Sequence, residues 1–510
     1  MKRGAFVIIL FLFFILFLFL QKNTFAVNCN PSVQCNCSSN INESGTITLT
    51  SDLPNATGQN VCTGATGLFV NASNVILNCA GFSIRGKATA SSKGIDWVAS
   101  KINVTIKNCN ILNWTTGLNF GVATSNNTLN TNNFSAITST AMSFGGTADD
   151  INVTNNTFFK TTTTDVSLAS GSDKYTIEKN TFTGAQTAIS FAGTSVGTKV
   201  LGNIINAANG ISLASTSVVT FCEAYGNYYN ASVAISRVIP SDCGPQPALN
   251  VSVNSSITTS NFSFGETNTI PTYKTVGEAI YNVNASRNIL FVNPTGPFVE
   301  TGLQFIRNTT IFDCNGAKID TKSGTGILLD TVTDITIQNC LLNTSTANRI
   351  IQINTQAYRN IIQNNNITTT TSGSAIGVYF GVDTNNNNNI TNNTFYGTIG
   401  TSISGAASGK PNATVYGNKF HSVTPISTNV FTLNFCPYGY GNYYNETGSS
   451  IPGWDCGPQP ALNVSVNSSI SSSNFSFGET NTIPTYKTVG EAIFNVNASR
   501  NILFVNPTGP

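Results

Sequence analysis

One phrase governs what this chain can fold into: apolar, two variable residues, Asn, one variable residue, apolar. It reads VTNNTF at Val153–Phe158 and returns as IEKNTF at Ile177–Phe182. Following its asparagine gives Asn132, Asn156, Asn180, Asn203 and Asn227, spaced by 24, 24, 23 and 24 residues. Cys109 holds the same slot 23 residues upstream of Asn132, and Cys79 holds it 30 residues earlier still. A second series runs Cys314, Cys340, Asn365, Asn393, Asn418 and Asn442. A period of about 20–30 residues, built from short alternating runs, marks a solenoid in which no single turn can bury its own apolar face. Leucine-rich repeats share the period but need recurrent leucine and a helical return segment, which this polar sequence lacks. The expected fold is therefore all-β: two parallel β-helices in tandem, with a short capping helix and a linker between them.

In such a coil, equivalent residues of neighbouring turns lie about 4.8 Å apart. An asparagine at a bend then bonds both its own backbone and the asparagine of the next turn. Each such bond contributes ~0.5–1.5 kcal/mol. The apolar residue two places later is expected to point inward and stack. Composition suits this reading: 40% of the 510 residues are hydrophobic and only 9% are charged, with a net charge of +2. That balance argues against a nucleic-acid partner.

A long-range copy sets the module boundaries. Asp242–Pro297 returns at Asp455–Pro510, changed only at Thr258/Ser471, Thr259/Ser472 and Tyr281/Phe494. Each copy holds YKTVGEAI, an amphipathic segment read as a capping helix over the first turn of a new coil. The expected organisation is a signal peptide at 1–26, a first β-helix with a Cys-rich start at 27–242, and a linker at 243–272. A capping helix with a second β-helix follows at 273–455, and the repeated linker and cap of a third module at 456–510. The chain is thus expected to belong to a longer array.

Met1-Lys2-Arg3 followed by the apolar run Ala5–Leu20 reads as a secretory signal with cleavage after Ala26. The alternative is an uncleaved anchor, but the run is shorter than the roughly 20 residues needed to span a bilayer. In an exported chain, twelve cysteines read as disulfides. The matching ends FCEAYGNYYN and FCPYGYGNYYN, each followed by DCGPQP, point to Cys222–Cys243 and Cys436–Cys456. Cys62 is a partner for one of Cys29, Cys35 or Cys37, which makes Cys37 and Cys62 disulfide candidates as well. Cys79/Cys109 and Cys314/Cys340 lie on adjacent turns, either bridged or as stacked free thiols. About 26 Asn-X-Ser/Thr sequons, among them Asn103, Asn152, Asn230, Asn284, Asn366 and Asn412, suit a surface glycoprotein, although a chain so rich in Asn, Ser and Thr makes many by chance.

Val70–Gly86 (VNASNVILNCAGFSIRG), Val104–Trp114, Ile306–Asp320 and Ile335–Asn343 resemble the right-handed parallel β-helix proteins of archaeal and bacterial cell surfaces. Phe312-Asp313-Cys314-Asn315-Gly316 is similar to the opening turn of that family, and Leu77-Asn78-Cys79-Ala80-Gly81 departs from it at two places. The resemblance covers most of 45–445. It implies the fold; the same fold serves pectate lyases, polysaccharide hydrolases, tailspikes, adhesins and NosD-type periplasmic proteins, so it does not choose among activities.

A pectate-lyase-like centre would need clustered carboxylates holding Ca²⁺ beside a basic residue. The only carboxylates in register are Asp149, Asp150 and Asp173, with Lys174 adjacent, and a solvated turn is the competing reading. No other cofactor is expected. The sole histidine, His421, has no Asp or Glu within twenty residues on either side, and the tyrosines of AYGNYY and GYGNYY read as end caps rather than sugar platforms. The functional expectation is a secreted or surface-displayed, non-enzymatic module that binds extracellular carbohydrate or cell-envelope components, touching a membrane only through an uncleaved signal segment. The alternative is a polysaccharide lyase or glycoside hydrolase. Intact-mass analysis of the native protein is expected to show loss of residues 1–26, and thiol titration to find few reactive cysteines.

Overall fold

In a computed structural model, the described residues are 29–504, apart from 31, 55–59, 98–99, 215–216, 231–232, 234–237, 248, 295, 323, 346–347, 371–374, 382–385, 398–399, 407–411, 423, 428–431, 446–454, 460–462 and 497–500. The expected signal segment at 1–26 lies outside them. The chain packs as two compact units, 1–198 with 212–219, and 199–211 with 220–510.

The first unit is wound from three parallel ladders of short strands. One runs from Ser39–Ile41 through Thr187–Phe191, a second from Gly45–Thr48 through Thr176–Glu178, and a third from Ser83–Arg85 through Thr181–Thr183. In the second unit the corresponding ladders run from Val251–Asn254 to Thr432–Asn434, from Pro297–Glu300 to Tyr443–Tyr444, and from Leu303–Phe305 to Thr424–Ile426. Both are right-handed parallel β-helices: the repeat predicts the parallel coil, and the resemblance implies its hand. Residues 243–272, expected as a linker, supply Val251–Asn254, which pairs with both Thr272–Tyr273 and Ile289–Asn293.

The asparagine series forms buried rungs. Asn132 accepts the Cys109 N–H on Oδ1 at 3.0 Å, donates its own N–H and Nδ2 to Asn156 Oδ1 at 2.9 and 3.0 Å, and caps the Ile106 carbonyl. Asn156 repeats the pattern onto Asn180. In the second unit Asn203 bonds Asn227, and the run Asn365, Asn393, Asn418, Asn442 is bonded likewise, beginning from the Cys340 N–H. The residue before each rung lies in the left-handed region: Asn108, Thr131, Asn155 and Lys179 have φ between 55° and 57°. That conformation turns the chain sharply enough to close a coil, and asparagine adopts it at least cost among ordinary residues. Inside, Phe134, Phe158 and Phe182 stack at 5.1 and 4.8 Å, as do Phe395, Phe420 and Tyr444 at 5.2 and 5.3 Å.

All twelve cysteines are paired. Cys79–Cys109 and Cys314–Cys340 are bridged rather than free, Cys37–Cys62 and Cys29–Cys35 staple the start, and Cys222–Cys243 and Cys436–Cys456 close loops of 21 and 20 residues. Loops of that length contribute ~3 kcal/mol each in the chain-entropy model.

One interior residue breaks the pattern. The second position of successive strands in the first ladder is Gly67, Gly94, Gly117, Ala141, Asp165 and Ala188. A Cβ on Gly117 would lie 2.6 Å from the Ala141 carbonyl and 2.8 Å from Phe134, which is why small residues hold this row. Asp165 is fully buried, its oxygens make no well-formed hydrogen bond, and burial pushes its carboxyl up to about 8 against a lesser pull from Thr161. An aspartate in the unfolded chain ionises near 3.9. Stability is therefore full below about pH 4 and falls as pH rises toward 8, because only the unfolded chain ionises over that range. Asp165→Ala, the residue of the adjacent strands, is expected to raise Tm by several degrees at pH 8, with the gain shrinking toward pH 4 in melts followed at pH 4, 6 and 8.

Candidate functional site

The acidic residues in register are rungs. Asp149 and Asp173 do stack on adjacent turns: Asp149 Oδ1 accepts the Asp173 N–H at 3.0 Å, and Asp173 Oδ1 accepts the Val196 N–H at 2.7 Å. Asp150 follows in the left-handed region, with φ 52°. These carboxylates satisfy backbone donors at a bend, the role asparagine plays elsewhere. Among the described residues, no group of three or more His, Cys, Asp or Glu is placed to hold a metal ion.

Two further carboxylates, not singled out by the sequence, end the asparagine series. Asp242 is buried and accepts from Asn227 N and Nδ2 at 2.8 and 2.7 Å, from Gly244 N and from the Tyr229 hydroxyl. Burial pushes it up to about 6 despite these bonds and the nearby Arg307. Asp455 does the same for Asn442 and Tyr444, and burial raises it as well. Tyr229 and Tyr444 are fully buried. Arg307 lies buried behind Asp242, beside a cavity of about 500 Å³ lined in part by Val238, Ala285 and Asp330. Its guanidinium is used on the carbonyls of Asp242, Ile280 and Tyr281.

His421 is half-buried, its ring 5.8 Å from that of Tyr443. Burial, then the charge of Lys419, lowers its pKa. Of the sequons, Asn103, Asn152, Asn366 and Asn412 are exposed, and Asn230 and Asn284 are half-buried. The Asn103 amide donates to Asn74 Oδ1, and that of Asn284 donates to the Pro247 carbonyl.

The groups turned outward are aromatic and basic. Tyr416 lies edge-on to Tyr438 at 5.2 Å and to Tyr440 at 5.6 Å, and Tyr438 is 69% exposed. Burial and the two neighbouring phenols raise the Tyr416 pKa. The corresponding places of the first series hold Leu201, Glu223 and Tyr225, with Glu223 paired to Lys199 at 2.7 Å. On the outer face of the sheet containing Arg349–Ile353, the Arg349 guanidinium sits 3.7 Å above the Tyr379 ring, and both Arg349 and Thr325 bond Gln352 Oε1 at 3.0 Å. The sequence pattern reads Tyr440 of GYGNYY as an end cap, and it does not single out Tyr416, Tyr438, Arg349 or Tyr379. The extra tyrosine of FCPYGYGN relative to FCEAYGN was the available signal for the tyrosine cluster.

No protein-family model and no curated protein matches the chain. Solved structures similar to it include the A-module of mannuronan C-5 epimerase AlgE6 from Azotobacter vinelandii, at 10% identity over 82% of this chain and 92% of that one, with a TM-score of 0.20. The AlgE4 A-module of the same organism is 12% identical over 79% and 91%, with a TM-score of 0.19. DFA-IIIase from Arthrobacter chlorophenolicus A6 is 8% identical over 87% and 85%, with a TM-score of 0.16. Superposition at this level sets no residue correspondence, and no activity is carried from them to this chain.

Asp149→Ala leaves the Asp173 N–H without its acceptor and is expected to cost ~1 kcal/mol. Melts with and without millimolar calcium are expected to coincide for both the parent and the variant.

Proposed function

We propose that the protein is an exported, disulfide-bonded β-helix module of the cell surface that binds extracellular carbohydrate or envelope glycans without altering them. What supports this reading is the tyrosine cluster Tyr416–Tyr438–Tyr440, in which exposed Tyr438 packs edge-on to half-buried Tyr416 beside half-buried Tyr440. Phenol rings offer an apolar face for the C–H side of a pyranose and a hydroxyl for its polar edge. Arg349 over Tyr379 adds a cationic site suited to uronic acids or sulfated sugars. Six disulfides accord with an oxidising compartment. Export through the segment at 1–26, glycans at exposed sequons such as Asn152 and Asn366, and modules divided at 242, 272 and 455 belong to the same proposal.

The alternative, a polysaccharide lyase or hydrolase, draws on one observation: Asp149 and Asp173 stacked on adjacent turns with Lys174 beside them. A glycan array probed with the full chain is expected to show binding that Tyr438→Ala weakens about tenfold or more, the equivalent of ~1.4 kcal/mol. Incubation with uronic-acid and neutral polysaccharides, with and without calcium, is expected to release no unsaturated or reducing ends. Release that is lost in Asp149→Ala would establish the enzymatic reading instead.

A further inference from the structure

The repeated cassette has two faces, and the structure holds them in different states. Helix α1 (Val276–Asn282) meets the coil before it through Asn282, which donates Nδ2 to the Tyr229 carbonyl at 2.7 Å and accepts the Tyr229 N–H at 2.8 Å. Helix α2 (Val489–Asn495) repeats this with Asn495 and Tyr444, at 2.8 Å for both bonds. On that side the two copies agree.

On the other side they differ, although the residues are the same. Val276, Ile280 and Phe291 are 0%, 1% and 3% exposed, whereas Val489, Ile493 and Phe504 are 42%, 54% and 59% exposed. What covers the first copy is the opening coil that follows it. Phe298, Leu303 and Phe305 are buried there, with the Phe298 ring edge-on to Phe291 at 4.9 Å. Glu300 accepts the Val276 N–H at 2.9 Å at the start of α1. Arg307 donates to the Ile280 and Tyr281 carbonyls at its end, at 3.3 and 2.7 Å. An acid at the amino end and a guanidinium at the carboxyl end match the partial charges of a helix. The strand Ile289–Asn293 is also paired on both edges, to Val251–Asn254 and to Ile311–Asp313, whereas Asn501–Phe504 borders only Asn463–Val466 among the described residues.

We infer that α2 and the edge of Asn501–Phe504 form a docking surface for the opening coil of a further β-helix. That coil carries the pattern Phe-x-Glu-x-x-Leu-x-Phe-x-Arg, which this chain shows at Phe298–Arg307. The apolar positions cover Val489 and Ile493, the glutamate meets the start of α2, and the arginine reaches the carbonyls of Ile493, Phe494 and Asp455. Its incoming strand pairs along the edge of Asn501–Phe504 that borders no strand among the described residues. The cassette is then a general connector that seals one coil and seeds the next.

The test compares the full chain with one extended after Pro510 by a second copy of residues 298–455, using amide hydrogen exchange. In the unextended chain α2 is expected to exchange at least tenfold faster than α1, and in the extended chain to slow to the α1 rate. Replacing the appended copy of Arg307 by Ala should partly reverse that slowing. An appended coil that folds and leaves α2 exchange unchanged would overturn the inference. A second comparison needs no extension: Ile280→Asp should lower Tm sharply and Ile493→Asp should leave it unchanged, and equal losses would also overturn it. Concentration-dependent dimers of the unextended chain that Ile493→Asp abolishes would make a second copy the occupant, and would count against it.

Discussion

The structure depends on one hydrogen bond, repeated: the side-chain oxygen of an asparagine accepting the backbone N–H of the residue one coil earlier. A coil closes only if the chain turns through the left-handed region, and that turn takes an N–H out of the sheet ladder. Buried and unpaired, such a donor costs ~1–3 kcal/mol. Asparagine supplies the acceptor, and its own N–H and Nδ2 then need one in turn. The row therefore propagates, with a polarity that decides its ends. It opens on Cys109 or Cys340, residues that only donate to it through their N–H and are tied to the neighbouring coil covalently. In the second unit, rows close on Asp242 after Asn227 and on Asp455 after Asn442, carboxylates that only accept.

The interior is shaped by the same repetition. Because each position recurs about every 4.8 Å, a large residue at one row requires a small one beside it on every coil. Trp114 shows the tolerance: a Cβ on Gly86 would lie within 2.4–2.6 Å of its ring. Asp165 is the exception within a glycine and alanine row, and it stays buried because the surrounding rungs fix its strand on both sides. Few interior places remain where a polar group could act on a ligand, so variation is pushed outward. The two asparagine series share their frame and differ on the outside, with an ion pair at Lys199–Glu223 in one and a tyrosine cluster at Tyr416–Tyr438–Tyr440 in the corresponding place of the other.

The cassette keeps the same geometry in both copies, while the outer surfaces of the coils differ between the two series. Asn282 and Asn495 seal the coil behind them with the same two bonds. The opening coil that follows brings its own acid and arginine. Module and connector are thus physically separable: rungs set the length of each coil stack, and the cassette ends it.

Periodicity alone was enough to determine the coil, the rungs and which cysteines face each other on adjacent turns, because a solenoid maps sequence separation onto a single distance; that those cysteines are bridged came from the structure. It also placed Asp149 over Asp173. A second row of backbone acceptors, in which Asn127, Asn360 and Asn388 take the N–H groups of Val104, Ile335 and Asn360 and the Thr198 hydroxyl takes that of Tyr175, escaped notice because its residue type changes from coil to coil. The roles of Asp242 and Asp455 were hidden for a related reason: they follow their last asparagine by 15 and 13 residues, outside the period. Only the tertiary structure decided which carboxylates are spent on backbone donors, which tyrosines are buried caps and which face solvent. Those outcomes depend on what the next coil presents, and a local sequence does not contain its neighbour.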